Sequence, residues 1–180
     1  MADDPLRSLR FIRQLIRLGH DLALEVVVEG LETPGLIEAA MILGADLGQG
    51  YALARPMPPA MLGGWLAHFH RQPPDARRPR TALGALAGAL QWEEQFSALP
   101  PDPASWQRHA RARCATGSYL QVGSALPALA ASHDAMHAAA VGGPQDAAFR
   151  LARARFLDQL VAHAQAQEQQ ADRSASASPD

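Results

Sequence analysis

The sequence predicts an α/β segment followed by an all-α one: a partial TIM-like (β/α) barrel fragment, then a four-helix bundle. Three observations carry this reading. A short apolar run rich in β-branched Val, Leu22 to Val28, lies between two helical periodicities and ends on a carboxylate. A Pro- and Arg-rich stretch over 70–80 divides the chain, and beyond it Ala-rich stretches are punctuated by Pro and Gly.

The first helix is read from Leu6, Leu9, Phe11, Ile12, Leu15, Ile16 and Leu18, which recur at helical spacing and stop at Gly19-His20. The strand from Leu22 to Val28 is apolar almost throughout, as a parallel strand buried on both faces must be. Glu29 and Glu32 follow it, with Gly30 between them, and the carboxyl ends of strands are where α/β barrels place catalytic groups. The same residues fit a plainer reading in which both Glu solvate a loop and Thr33-Pro34 starts a helix as N-cap and first helical residue. Leu36, Ile37, Ala40, Met41 and Leu43 form the next stripe, and Gly44 ends it. A second strand is expected over Leu47 to Leu53, and Pro58-Pro59 to Phe69 reads as a last helix with Trp65 and Leu66 facing inward. This barrel-like part spans roughly 70 residues against about 250 for a closed barrel, so the remaining strands are expected from outside the chain.

Residues 71–80 read as a linker, since Pro73, Pro74 and Pro79 cannot continue a helix. The breaks at Leu99-Pro100-Pro101-Asp102-Pro103, Val122-Gly123-Ser124 and Gly142-Gly143-Pro144 then delimit four helices: Thr81 to Ala98, Ala104 to Gln121, Ala125 to Val141 and Gln145 to Gln167. Residues 168–180, rich in Gln, Ala and Ser without apolar periodicity, are expected to be disordered. The expected domains are thus 1–70, 81–167 and a tail. Trp65, Trp92 and Trp106 are expected in the core or at domain contacts, and Glu93-Glu94 on a solvated face.

Composition narrows the function classes. The net charge is −2 and all 16 basic residues are Arg, with no basic stripe, which points away from nucleic acid. A single Cys rules out an internal disulfide framework and suits a reducing cytoplasm. No apolar run approaches the ~20 residues needed to span a bilayer, so no membrane segment is expected in this chain.

His133 and His137 are four apart on the third expected helix of the bundle and project from one face, a spacing suited to a shared metal. Cys114 lies on the preceding helix, and a thiolate with imidazoles favours zinc. Residue types alone leave a second reading open, in which Cys114 is a small buried hydrophobe and the two His lie at the surface.

Two resemblances add to this. Glu25-Val26-Val27-Val28-Glu29-Gly30-Leu31-Glu32-Thr33, with Asp46-Leu47-Gly48-Gln49-Gly50-Tyr51 and Ala54-Arg55-Pro56-Met57-Pro58, resembles the closing segment of an EAL-type cyclic-di-GMP phosphodiesterase. The resemblance implies a barrel that hydrolyses cyclic-di-GMP to pGpG with two Mg²⁺ or Mn²⁺ ions, Glu29 organising the metal centre and Gln49 hydrogen-bonding in the same pocket, while Glu32 shapes the loop. The family's Glu-Ala-Leu signature and its Asn, Glu, paired Asp and Lys positions do not precede the match. The chain is therefore expected to be inactive alone, and to meet cyclic-di-GMP only if a missing amino-terminal segment or a second copy completes the barrel. Cys114-Ala-Thr-Gly117-Ser-Tyr119-Leu120, with Leu126-Pro127-Ala-Leu129 leading to His133 and His137, is similar to the CZB zinc-binding domain, a bundle of bacterial signalling proteins that holds zinc with three His and one Cys. The family's remaining His stands three residues ahead of a Trp, and here that position, counted from Trp92, is Ala89. The resemblance then implies three protein ligands plus water, a site completed by another His such as His163, or a lost site; His109, five residues before Cys114 on one expected helix, points away. The function expected is the C-terminal part of a phosphodiesterase with a zinc- or redox-sensing bundle, the alternative a non-enzymatic signalling or interaction module.

Overall fold

The computed structural model describes residues 4–69, 75, 78–122 and 126–176. Eight α-helices are found among them: α1 (Pro5–Asp21), α2 (Pro34–Ile42), α3 (Pro59–His68), α4 (Ala82–Ser97), α5 (Pro103–Arg111), α6 (Ala115–Val122), α7 (Pro127–Ala139) and α8 (Ala147–Ser176), with a 3-10 turn at Ala140–Gly142. Strands among the described residues are limited to β1 (Val27–Val28) and β2 (Leu47–Gly48), which pair in parallel with Val27 opposite Leu47 and Val28 opposite Gly48.

The partial TIM-like barrel is overturned by this architecture: the described residues are 70% helical, mostly all-α, and among them are only two strands of two residues each and no barrel fragment. The physical reason lies in what surrounds the apolar runs. A parallel strand keeps a continuous hydrophobic sequence only where both its faces are covered. Here each strand has one neighbour, Val27 and Leu47 remain 49% and 55% exposed, and Leu22 and Leu24 lie in exposed chain ahead of β1. The last helix of the first part also differs from expectation. α3 contains no buried residue, and Leu66 faces solvent rather than the core.

The helical starts follow their local chemistry. Asp4 and Thr33 cap α1 and α2 by accepting from the amides of Arg7 (3.0 Å) and Leu36 (3.2 Å), each with Pro at the first helical position. Thr81 and Asp102 do the same for α4 and α5, and Asp146 accepts from the Phe149 amide at the start of α8. α4 is the axis of the structure: every residue from Ala82 to Leu90 is buried, as a helix that is apolar all round must be. α2 lies along one side of it and α6 and α8 along others, while α7 packs along α8.

One core therefore joins both halves of the chain. Leu9, Ile16, Leu36, Ile37 and Ile42 belong to the same cluster as Leu83, Leu86, Leu90, Phe96, Phe156 and Leu160. Arg13 on α1 donates to the Leu90 carbonyl (2.8 Å), and Thr33 donates to Glu168 on α8 (2.8 Å). Most of the expected linker, 70–74 and 76–77, lies outside the described residues.

Within the bundle, the helix expected over Ala104 to Gln121 is broken. α5 ends at Arg111, Ala112 is extended, and α6 begins after Cys114. At the other end of the chain α8 runs on to Ser176, past Gln167; residues 177–180 lie outside the described part. Among the described residues no helix is long and apolar enough to cross a membrane.

Candidate metal centre

The break before α6 is what positions the thiol. Thr116 and Gly117 are poor helix formers, and Cys114 stands where an N-cap residue stands: its Sγ accepts from the Gly117 amide (3.2 Å), and its carbonyl accepts from the Ser118 amide (3.1 Å). Thr116, fully buried, donates its hydroxyl to the Ala85 carbonyl (2.9 Å) and so fixes the first turn of α6 against α4. The thiol is thereby aimed at α7.

His133 and His137 come to meet it from one face of α7, their ring centroids 4.5 Å apart. Cys114 Sγ lies 3.0 Å from His133 Nε2, and the ligand atoms of Cys114, His133 and His137 all fall within 4.8 Å of one another. A tetrahedral zinc with Zn–S of about 2.3 Å and Zn–N of about 2.0–2.1 Å has edges of roughly 3.3–3.6 Å. The three atoms are thus within about an ångström of a zinc triangle.

The hydrogen bonds around the rings match a ligand role. His137 Nδ1–H donates to the Ala110 carbonyl (2.7 Å), which leaves Nε2 as a lone pair; that atom is buried and has no hydrogen-bond partner. His133 Nδ1 faces the Asp134 carboxylate (3.4 Å), which orients its Nε2 towards the thiol. Holding the far nitrogen on a carbonyl or carboxylate is how metal-binding imidazoles are fixed in one tautomer. A buried, unpartnered nitrogen costs stability, and a cation is the partner that removes the cost.

The electrostatics favour neutral imidazoles and a protonated thiol in the metal-free chain. Burial depresses the pKa of both His133 and His137, with His137 adding to the effect on His133 and His109 to that on His137. The Ala110 carbonyl and Asp134 oppose it. Burial pushes the Cys114 thiol up, against the pull of the Gly117 and Thr116 amides. Trp92 of α4 closes the site, its ring 4.7 Å from His137 and 4.9 Å from His109. A cavity of about 260 Å³ between α5, α6 and α7 is lined in part by Cys114, His133 and His137.

The other His do not join the group. His109 lies on α5 rather than on one helix with Cys114, and its Nε2 meets the Trp92 carbonyl (3.2 Å). His163 is engaged elsewhere: Tyr119 donates its hydroxyl to His163 Nε2 (2.8 Å) while accepting from Gln167 (3.2 Å). Ala89 supplies no ligand atom.

The residues after β1 are arranged differently. Glu29 and Glu32 are exposed and line a cavity of about 360 Å³ together with Phe11, Ile12, Leu31 and Leu36. Gln49 is exposed at the end of β2, and its carbonyl accepts from the Leu31 amide (3.1 Å). β1 and β2 thus end side by side, but among the described residues no group of three Asp, Glu, His or Cys side chains able to hold a metal includes Glu29 or Glu32. Two contributors to the metal centre, the Ala110 carbonyl and Asp134, were not legible from residue spacing. Asp134 is adjacent to His133 in sequence, and that adjacency is the signal that was there to be used.

No family model matches the chain, and no solved structure matches it. A protein of Azorhizobium caulinodans, described as an uncharacterized protein, is 37% identical over 60 residues. The match covers 33% of this chain and 8% of that protein, so the chain spans a small part of the relative it matches.

Proposed function

We propose that this chain is a regulatory module that holds one zinc ion through Cys114, His133 and His137. The observation that carries the reading is the buried, unpartnered Nε2 of His137, set beside the Cys114 thiol and His133 Nε2 within 4.8 Å. Zinc bound there supplies a cross-link between the start of α6 and the middle of α7, two elements that otherwise share little contact. The similarity to the CZB domain supports the same ligands. Oxidation of Cys114 by a peroxide, which transfers one oxygen atom to sulfur and leaves as water, removes the thiolate ligand and makes the module redox-responsive. The test is a zinc titration of the full chain against a chromophoric chelator. One zinc per chain is expected, lost in Cys114→Ser and in His137→Ala; uptake indifferent to both substitutions would return Cys114 to a buried hydrophobe.

A second reading rests on the pairing of β1 with β2, which brings Glu29 and Gln49 to neighbouring strand ends. In it, the segment contributes to cyclic-di-GMP hydrolysis with Mg²⁺ or Mn²⁺, as the EAL resemblance implies, the remaining metal ligands coming from other polypeptide. Two-metal hydrolysis needs carboxylates around both ions, so the chain alone is expected to be inactive. Conversion of cyclic-di-GMP to pGpG by the purified chain with Mn²⁺, abolished by Glu29→Ala, would overturn the expectation that other polypeptide must supply the remaining ligands.

A further inference from the structure

Three protein ligands leave a tetrahedral zinc with one open position, the arrangement of sites that exchange ligands rather than of closed structural sites. The structure shows why the fourth protein ligand is missing. Positions 85, 89 and 92 recur along one stripe of α4. Ala85 meets Thr116 through its carbonyl, and the Trp92 ring lies against His137 at a tilt of 47°. Position 89 lies on that stripe, is buried and carries a methyl, which offers no ligand atom.

The cavity lined by the three ligand residues has its own chemistry. Arg111 and Arg113 line it, and neither guanidinium has an ion-pair partner among the described residues. Asp134 is the one acid on its wall, and it is turned to His133 Nδ1. Zinc with one thiolate and two neutral imidazoles carries a net positive charge, so the metal and the two arginines together leave the cavity short of negative charge. Guanidinium donates charge-assisted hydrogen bonds to carboxylate oxygens. At about 260 Å³ the cavity lies below the range of sites for drug-sized molecules, and a ligand of a few heavy atoms fits it.

We propose that this cavity binds a small carboxylate, one oxygen taking the open zinc position and the other held by Arg113, so that the module reports a carboxylate metabolite as well as the metal. The inference rests on the zinc reading above. The experiment uses the full chain loaded with Co²⁺, whose visible spectrum reads coordination number and ligand exchange, and titrates acetate against chloride at constant ionic strength. Acetate is expected to change the spectrum saturably with one site per chain, and chloride to leave it unchanged. Arg113→Ala should weaken acetate binding about tenfold, and Ala89→His, by filling the fourth position, should abolish the acetate response while tightening metal binding. A metal-loaded chain whose spectrum ignores acetate, or responds equally to chloride, would overturn the inference and leave the zinc reading standing. Response to acetate that survives both substitutions would also overturn it. Failure of the chain to take up any metal would remove the zinc reading and this inference with it.

Discussion

Glu38 and Thr81 are joined by two hydrogen bonds to a single carboxylate oxygen, from the Thr81 amide (2.8 Å) and the Thr81 hydroxyl (2.6 Å). The other oxygen accepts from the Arg80 amide (2.9 Å). Glu38 is only 6% exposed, so a buried carboxylate on α2 satisfies the orphan donors at the start of α4, and Thr81 in turn accepts from Gly84 (3.0 Å). Gly84 is glycine for the same reason: a Cβ there would collide with the Glu38 side chain.

This relationship predicts that Glu38→Ala unfolds the two halves together. It leaves three part-buried donors without their acceptor, at a cost of about 2 kcal/mol. A single cooperative transition at lower urea, seen equally by far-UV circular dichroism and by Trp92 fluorescence, is the expected result. Separate transitions for the two halves would show that the shared core does not couple them.

Gly117 sets the space available between Cys114 and His133 in the candidate metal centre. A Cβ there would lie 3.2 Å from His133 Cε1 and 3.4 Å from Cys114 Sγ, tighter than ordinary contact. Gly117→Ala is therefore expected to push ring and thiol apart and weaken zinc about tenfold with the helix content unchanged, and Gly117→Val to abolish uptake. Chelator competition measures the first effect and circular dichroism the second.

The stability of the metal-free chain should depend on pH in a defined direction. Burial depresses the pKa of His133, His137 and His163 below 6.5 in the folded state, so the unfolded chain binds more protons in the window beneath 6.5. Stability is then complete above about pH 6.5 and falls as pH drops through that window towards the depressed values. Urea midpoints between pH ~5 and ~7 should show the slope, and replacing His133 and His137 by Gln should flatten it. An unchanged slope in the double variant would place the titration elsewhere.

The surface of α1 leads to a prediction about association. Phe11, Leu15, Leu18 and Leu22 are exposed at successive spacings of four, three and four residues, an apolar stripe beside the exposed Leu24 and Val27. The isolated chain is expected to associate in a concentration-dependent way. Phe11→Ser with Leu15→Ser and Leu18→Ser should shift light scattering towards the monomer mass without loss of stability beyond about 0.5 kcal/mol per site. Scattering unchanged by the triple variant would show that this stripe does not drive association.

Several helix starts were legible in the sequence because their signals are local, whereas the break between α5 and α6 and the end of α8 at Ser176 were not. Asp4-Pro5, Thr33-Pro34 and Asp102-Pro103 mark helix starts through groups that lie within four residues of one another, and the His133–His137 pair shares a face by helical geometry alone. The strands were not legible, because whether Leu22 to Val28 is a buried strand depends on neighbours that the run itself does not encode. Strand pairing reduced it to Val27 and Val28 and left the barrel expectation without support. Tertiary structure alone decided the site. It broke the helix at Ala112 so that Cys114 could turn its thiol to His133, took His163 away to Tyr119, and placed the Ala110 carbonyl on His137 Nδ1. It also packed residues of both halves of the chain around α4, since an all-apolar helix such as Ala82 to Leu90 must be covered on every side and the bundle by itself covers only part of it.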